Sequence, residues 1–441
     1  VAETPSLPLL PSRDADAPIA WQGGQPVSRA ALQSAVARVA ACLPDRAYAI
    51  NACESRYLFL VAFAAIGLGR QTNLLPTTGA TAAIREITTR FPDHHVVDDA
   101  RVRTWLDRSG DAATDATDMQ LAEDHAIAIA FTSGSTGRAQ PHLKTWGELV
   151  AGARLAERRF GFALAAGTSI VATVPPQHMY GLETSILLPL TLPVALHDGR
   201  PLLPSDVLAA LAAVPAPRVL VTTPAHLRVL AETAANWPPL TLVISATAPL
   251  SSSLAQAAER VLAAPVMEIY GCTEAGSIAS RRTLDGEPWT PYDGFVFTDA
   301  WVRANHLREP VHLNDVVELC TDGRFVLRGR QQDLINIAGK RTSLAYLDRV
   351  LSELDGVDDG AFVMPPEVGD RPVRLVAFVV APNLTKKEIL TALAQRIDPI
   401  FLPRPLRLVD RLPRNDFGKL NRNALLDLLR RGARRTIDGG G

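Results

Sequence analysis

Three stretches of this chain carry residue types and spacings that suit phosphate chemistry. In Thr132-Ser133-Gly134-Ser135-Thr136-Gly137, glycines alternate with hydroxyl residues directly after the apolar run Ala126–Phe131. Glycines let backbone N–H groups curl toward an anion and hydroxyls add donors, so such a loop can wrap phosphate oxygens. It is not a Walker A loop, because position 139 is Ala rather than Gly and no Lys-Ser/Thr pair follows. Taken alone, a Gly/Ser/Thr run is more often a plain turn. The second stretch, Glu268-Ile269-Tyr270-Gly271-Cys272-Thr273-Glu274, ends another apolar run. There a tyrosine can stack on a base, a threonine can bond phosphate and a glutamate can hold magnesium; a buried aromatic before a polar turn reads equally well. The third is Leu412-Pro413-Arg414-Asn415-Asp416-Phe417-Gly418-Lys419. A lysine after a glycine turn is usually a solvated charge, but on a mobile loop it can stabilise charge on a transferring phosphoryl group.

The elements that must position these residues follow from patterning. Ser28 stands where it can cap a helix with apolar residues Leu32, Val36, Val39 and Leu43 at helical spacing. Short apolar runs at Ala126–Phe131, Ile170–Val174, Arg218–Thr222, Leu242–Ser245 and Val266–Ile269 read as strands buried on both faces. Helical stretches at Trp146–Arg159, Ser205–Ala213 and Ser251–Leu262 lie between them. The fold class is therefore α/β, a large N-terminal domain of mixed and parallel sheets with flanking helices. In such sheets ligands sit outside the carboxyl ends of strands, where the first two stretches share a crevice. After Asp315 the texture changes. Val316–Leu319 and Arg324–Leu327 read as a hairpin across Thr321-Asp322-Gly323, and Gly329 to Asp333 marks a boundary. Beyond it, helices at Leu344–Leu354 and Lys386–Ile397 and strands at Gly360–Met364 and Leu375–Val380 form a small, mobile α+β domain. The division is 1–330 and 333–441.

Bulk properties exclude several classes. A chain of 441 residues calls for more than one unit, and a formal charge of −1 offers no field for nucleic acid or an anionic membrane. Cys42, Cys53, Cys272 and Cys320 show no metal-ligand spacing and no disulfide framework, which suits a reducing compartment. The apolar stretch Ser185–Leu196 is short, is interrupted by Pro189 and Pro193, and cannot span a bilayer. The expectation is a cytoplasmic protein without a membrane span or a nucleic-acid partner.

The three stretches, in this order, resemble the adenylate-forming superfamily of acyl- and aryl-CoA synthetases, carrier-loading adenylation domains and firefly-type luciferases. The resemblance runs from about Val61 to Arg422. It implies ATP and Mg2+ as cofactors, with Thr132, Ser133, Gly134, Ser135, Thr136 and Gly137 as the phosphate loop. Ala246, Thr247 and Ala248 would lie at the adenine side, Tyr270 would stack on adenine, and Asp315 and Arg330 would hold the ribose. Thr273 would touch the α-phosphate and Glu274 would ligate magnesium. His178, Tyr180, Gly181, Thr223, Ser245 and Gly271 would border the acid. Lys419 would bridge carboxylate and α-phosphate, and Gln332 would be the hinge about which the small domain turns.

Two departures from the family pattern stand out. The customary loop lysine is Gln140 here, so Arg138, Lys144 or backbone contacts alone must serve the phosphates. The hinge residue, usually charged, is neutral. The continuation Gln140-Pro141-His142-Leu143-Lys144-Thr145-Trp146 resembles a compact subgroup of aryl-polyene and xanthomonadin-type pigment pathways, which loads a hydroxybenzoate-like acid onto an acyl carrier protein. The expected partners are thus a carboxylic acid and either an acyl carrier protein or CoA. A fatty acyl ligase is the alternative within the same class. A non-catalytic acyl-binding scaffold is the alternative outside it, and the presence of both Glu274 and Lys419 argues against that one.

Overall fold

Ser28 caps as its position predicts: its hydroxyl accepts from the Ala31 N–H at 3.1 Å and starts the helix Arg29–Ala41. The device recurs along the chain. Thr145 and Glu148 form a reciprocal capping box on Trp146–Phe160, and Ser251 and Ser343 cap Ser252–Leu262 and Leu344–Ser352. Each cap satisfies a backbone donor that the first helical turn leaves without a partner. The structure is a computed structural model, and it describes residues 5–11, 14–76, 81–108, 119–133, 139–161, 164–298, 300–330, 334–337, 340–365, 374–414, 420 and 424–429.

Two sheets make up most of the body. The larger runs Thr290–Pro291, Gly276–Arg282, Val266–Cys272, Leu242–Ser245, Arg218–Thr222, Ser169–Ala172, Ala195–His197, Pro18–Gln22, Gln25–Ser28. Its strands are parallel from Val266–Cys272 to Pro18–Gln22 and antiparallel at both edges. The central ones are apolar and buried throughout, as strands covered on both faces must be. The second sheet runs His94–Val97, Tyr48–Asn51, Thr72–Leu75, Ala126–Ser133, Ala139–Thr145, parallel except for the closing hairpin. Both place their parallel strand ends at the candidate loops.

Between the sheets lies a helix that patterning did not reveal. Arg56–Leu68 is buried from Arg56 to Gly67 and touches strands of both sheets. It has no polar face, so the periodicity that marks an amphipathic helix is missing. Arg56 at its start donates to the carbonyls of Ala172 and Val174 at 2.9 and 2.8 Å, tying the helix to the large sheet. Ser185–Leu196 is also helical at first, through a π-turn at Glu183–Leu187 and a short helix at Leu188–Thr191. No helix among the described residues is long and apolar enough to cross a membrane.

The largest apolar cluster draws on residues from Leu9 to Phe325. Past Ile335 the chain builds clusters of its own, around Leu347, Phe362 and Val379 on one side and around Phe378 and Leu425 on the other. The hairpin predicted after Asp315 is formed by Asp315–Leu319 and Phe325–Arg330. The later elements are Leu344–Ser352, Asp359–Val363, Val376–Val380 and Lys386–Ala394, each within three residues of its predicted ends. Gly329 joins the two parts at φ +110°, and a Cβ there would stand 2.6 Å from Ser343 Oγ, so only glycine fits.

Candidate active site

The glycine loop is a hairpin connection. Ala126–Ser133 pairs antiparallel with Ala139–Thr145, with Thr132 opposite Gln140 and Ser133 opposite Ala139. Gly134, Ser135, Thr136, Gly137 and Arg138, with the side chain of Ser133, lie outside the described residues. The stem of the hairpin is described, and it reaches the second candidate stretch. His142 Nε2 lies 3.0 Å from Thr132 Oγ1 and 3.7 Å from Glu274 Oε1. Lys144, buried on the same strand, donates its ammonium to the main-chain carbonyl of Glu274. Two stretches 130 residues apart therefore meet through two side chains. Burial holds both groups below their ordinary pKa values; Glu274 opposes the shift on His142, and Glu148, Glu183, Cys272 and Glu274 oppose it on Lys144. Because Lys144 is committed to this carbonyl, its ammonium is a tie between the sheets.

On the other side, the strand Val266–Cys272 ends in a turn that carries Thr273 and Glu274. Gly271 is required: a Cβ there would meet the Gly276 carbonyl oxygen at 2.3 Å. Tyr270 packs against Trp289 and Phe325, with ring centroids 5.7 and 5.9 Å away, and donates its hydroxyl to Asp315 Oδ2 at 2.9 Å. An aromatic ring and a carboxylate held side by side suit a base and its ribose diol. Glu268, by contrast, is committed to the framework. It is buried and accepts from Leu250 N–H at 3.1 Å, Arg281 Nε at 2.7 Å and Thr283 Oγ1 at 2.6 Å.

The adjacent strand end holds a strained residue. Ser245 is buried at the end of Leu242–Ser245, Ala246 is buried beside it, and Thr247 adopts φ +83°. A β-branched residue in the left-handed region costs of order 1–3 kcal/mol and is found where function demands it. Thr247 and Ala248, the residues expected at the adenine side, are both half-buried.

The residues expected around the acid converge near these strand ends, several of them holding the framework. Tyr180 donates to the carbonyls of Thr222 at 3.1 Å and Ile244 at 3.0 Å, and burial pushes its phenol well above its ordinary value. It therefore serves as a wall. Gly181 allows contact with Pro175, whose oxygen would be 2.0 Å from a Cβ. Thr223 caps Pro224–Glu232 and pairs with His226 Nδ1 at 3.0 Å. His178 precedes the helix Met179–Leu182 and is half-buried.

Three side chains that the sequence reading passed over also border this region. Glu183 accepts from Ser277 N–H at 3.1 Å and from Ser277 Oγ at 2.6 Å, beside a cavity of about 20 Å³ also lined by Tyr292. A lone acid inside the apolar run Leu182–Leu196 was the available signal.

Lys419 and Gln332, and the side chain of Arg330, lie outside the described residues. Arg330 ends its strand opposite Asp315, and Arg414 and Leu420, on either side of the lysine segment, form an antiparallel bridge. Arg414 is anchored by two contacts of 2.7 Å to Asp359. For a metal, Glu274 is the candidate; its side chain is 37% exposed beside the loop stem. Magnesium uses one or two carboxylates and fills its shell with phosphate and water oxygens, so a single glutamate suits it. No cluster of three or more His, Cys, Asp or Glu able to hold a metal occurs among the described residues.

Comparison with known proteins bears on this geometry. The family profile described as AMP-binding enzyme matches residues 16–329. A 4-coumarate–CoA ligase of Halorhodospira halophila is 28% identical over 318 residues, covering 68% of this chain and 76% of that protein. Among solved structures, ATP-bound MatB from Rhodopseudomonas palustris matches with a TM-score of 0.80 at 18% identity, over 95% of this chain and 97% of that one. The o-succinylbenzoate CoA synthetase MenE of Bacillus subtilis, in complex with its acyl-adenylate, gives 0.79 at 18% identity, over 93% and 95% of the two chains. At such identities the structures speak for the fold.

Proposed function

The chain belongs to the AMP-binding enzyme family and is an AMP-forming acid–thiol ligase, and from that premise we propose that it activates an aryl acid of the hydroxybenzoate type. The acceptor would be a phosphopantetheine thiol, on an acyl carrier protein or on CoA. The observation that carries the adenylating part is the meeting of the glycine hairpin with Thr273-Glu274 through His142 and Lys144. It joins the stem of that hairpin to a metal-suited carboxylate four residues past Tyr270, which pairs with Asp315, and this supports the reading.

In the first step the acid's carboxylate attacks the α-phosphorus of ATP, the bond to the pyrophosphate breaks, and acyl-AMP and pyrophosphate result. No general base is needed, since the carboxylate is already ionised; the residues position the reactants and neutralise charge. Tyr270 and Asp315 would orient the nucleoside, Thr132–Gly137 the departing phosphates and Thr273 the α-phosphate. Glu274 would hold Mg2+, which neutralises phosphate charge when bound. Lys419 would bridge the two reacting groups. In the second step the thiol sulfur attacks the acyl carbon, and AMP and a proton leave. Division into parts 1–330 and 333–441, with rotation about Gln332, would withdraw Lys419 and admit the thiol. The resemblance of Gln140–Trp146 to carrier-loading pigment ligases and the likeness to a 4-coumarate ligase, which acts on a phenolic acid, both support the aryl reading. Four free cysteines suit the reducing cytoplasm.

The test is acid-dependent ATP–pyrophosphate exchange, screened with hydroxybenzoates, benzoate and fatty acids of several lengths. Hydroxybenzoates should give the highest rates, and Lys419→Ala should abolish exchange while nucleotide binding persists. Exchange with aliphatic acids alone would refute the aryl reading, and unchanged exchange in the variant would remove Lys419 from the chemistry.

A further inference from the structure

We propose that Glu183 and Tyr292 together form a receptor for a hydroxyl group on the ring of the acid, and thereby set its substrate class. This deepens the reading above and rests on it.

The cavity adjoins the two strands whose ends carry Ser245 and the Thr273-Glu274 turn. Its walls include Ile244 and Ile269, each the immediate neighbour of a strand-end residue, Ser245 and Tyr270. Ser277, three residues past Glu274, closes one side. Lys144, whose ammonium bonds the Glu274 carbonyl, also acts on the Glu183 carboxyl through its charge. Ser277 and Lys144 therefore tie the cavity to the turn that carries Thr273 and Glu274.

What distinguishes the cavity is polarity without satisfaction. Tyr292 is 3% exposed, yet its hydroxyl has no hydrogen-bond partner among the described residues. A buried hydroxyl left unpaired is costly, and native structures rarely tolerate one without a reason. Glu183 uses one lone pair of each carboxylate oxygen on Ser277 and keeps the others. Its position is built: the π-turn Glu183–Leu187 puts an extra residue into the helical run, an arrangement frequent at functional sites. Gly276 at φ +74° makes room, since a Cβ there would stand 2.3 Å from Glu183 Oε1. Gly152, Ala153 and Ala156 make the facing helix surface small.

A group that fits here must be about the size of a water molecule, because a cavity of about 20 Å³ holds little more. It must also offer both a donor and an acceptor. A phenolic hydroxyl does so, accepting from Tyr292 and donating to Glu183, and it can reverse the second role if Glu183 carries a proton. Burial raises the Glu183 pKa while Ser277 and Lys144 oppose it, so this versatility matters. An alkyl end would leave the Tyr292 hydroxyl and the remaining Glu183 lone pairs desolvated and without a partner, which is the arrangement by which sites reject analogues lacking a hydroxyl.

The experiment uses the 441-residue chain in pyrophosphate exchange with 3-hydroxybenzoate, 4-hydroxybenzoate, benzoate and fatty acids of several lengths. At least one hydroxylated acid should exceed benzoate by about 100-fold or more in kcat/KM. Tyr292→Phe and the near-isosteric Glu183→Gln should each lower that ratio by about 10-fold or more, the loss falling chiefly on the hydroxylated acids. A wild-type ratio near one, or a ratio untouched by both substitutions, overturns the proposal and leaves the cavity to a structural water. Exchange with fatty acids only also overturns it, while the ligase reading stands. Failure with every acid sinks the ligase reading itself.

Discussion

The two sheets contribute to the site in different ways. The five-stranded sheet offers a hairpin whose chemistry is contiguous: Thr132 to Gly137 is one stretch of chain, and the strands beneath it only hold its ends. The nine-stranded sheet offers an assembled surface, where Val266–Cys272 packs with residues from distant segments: Tyr270 bonds Asp315, and Ile269 lines a cavity with Glu183 and Tyr292. Lys144 and His142 join the two. Phosphates are alike in every substrate of such chemistry and can be held by local backbone, whereas an acid is read by shape and polarity that only tertiary packing can supply.

The sharpest way to break this contrast is to compare two glutamates on one strand end. Glu268 is buried with a hydrogen-bonded Arg281 partner, so Glu268→Ala leaves that guanidinium uncompensated and should cost about 3–5 kcal/mol of stability. Urea unfolding measures it; a loss below about 1 kcal/mol would mean Glu268 is not the anchor its bonds suggest. Glu274→Ala, at a partly exposed position, should leave the urea midpoint close to wild type and lower exchange about 100- to 1,000-fold. A wild-type magnesium response in that variant would remove Glu274 as the metal ligand.

Lys144→Met tests the tie itself, and a smaller effect is expected. Removing a buried ammonium relieves desolvation while the Glu274 carbonyl loses its donor, so the net change in stability should be within about 1 kcal/mol. Exchange should fall about 10-fold, through a weaker magnesium dependence, as Glu274 loses its position. If the KM for ATP rises and the magnesium dependence does not change, Lys144 serves the phosphates as a surrogate for the loop lysine replaced by Gln140.

The same contrast explains what was legible in the sequence. Arg218–Thr222 and Leu242–Ser245 were readable to the residue, because buried parallel strands are short apolar runs between turn residues. Arg56–Leu68 was not, because burial on every side erases helical periodicity. Tyr270 and Asp315 were legible as motif residues, though their hydrogen bond was not. Glu183, Ser277 and Tyr292 come from three distant segments, and nothing local marks them as neighbours. His142 sat in plain view beside the loop, but only the register of the hairpin turns it toward Thr132 and Glu274.

A last effect concerns acid, and it separates the sheets by their histidines. On the edge strand His94–Val97, His95 donates Nε2–H to Gln71 at 2.8 Å, while its Nδ1 is buried without a partner among the described residues. Protonation would add an N–H with nowhere to go. Burial, with the charge of Arg101, lowers the His95 pKa from 6.5 to about 4. Between those values the unfolded chain binds a proton that the folded chain does not, so stability is full above pH 6.5 and falls as pH drops toward 4. Between pH 7 and pH 5 the loss from this group should be about 1–2 kcal/mol, reduced because the ring is only half-buried. His125 and His142, at and next to the hairpin, shift in the same direction through burial. Thermal melts at pH 7 and pH 5 should therefore show a drop in Tm for the wild type and a smaller drop for His95→Gln. Equal drops would place the acid sensitivity outside the edge strand, among His125, His142, His197, His226 and His306, whose pKa burial also lowers.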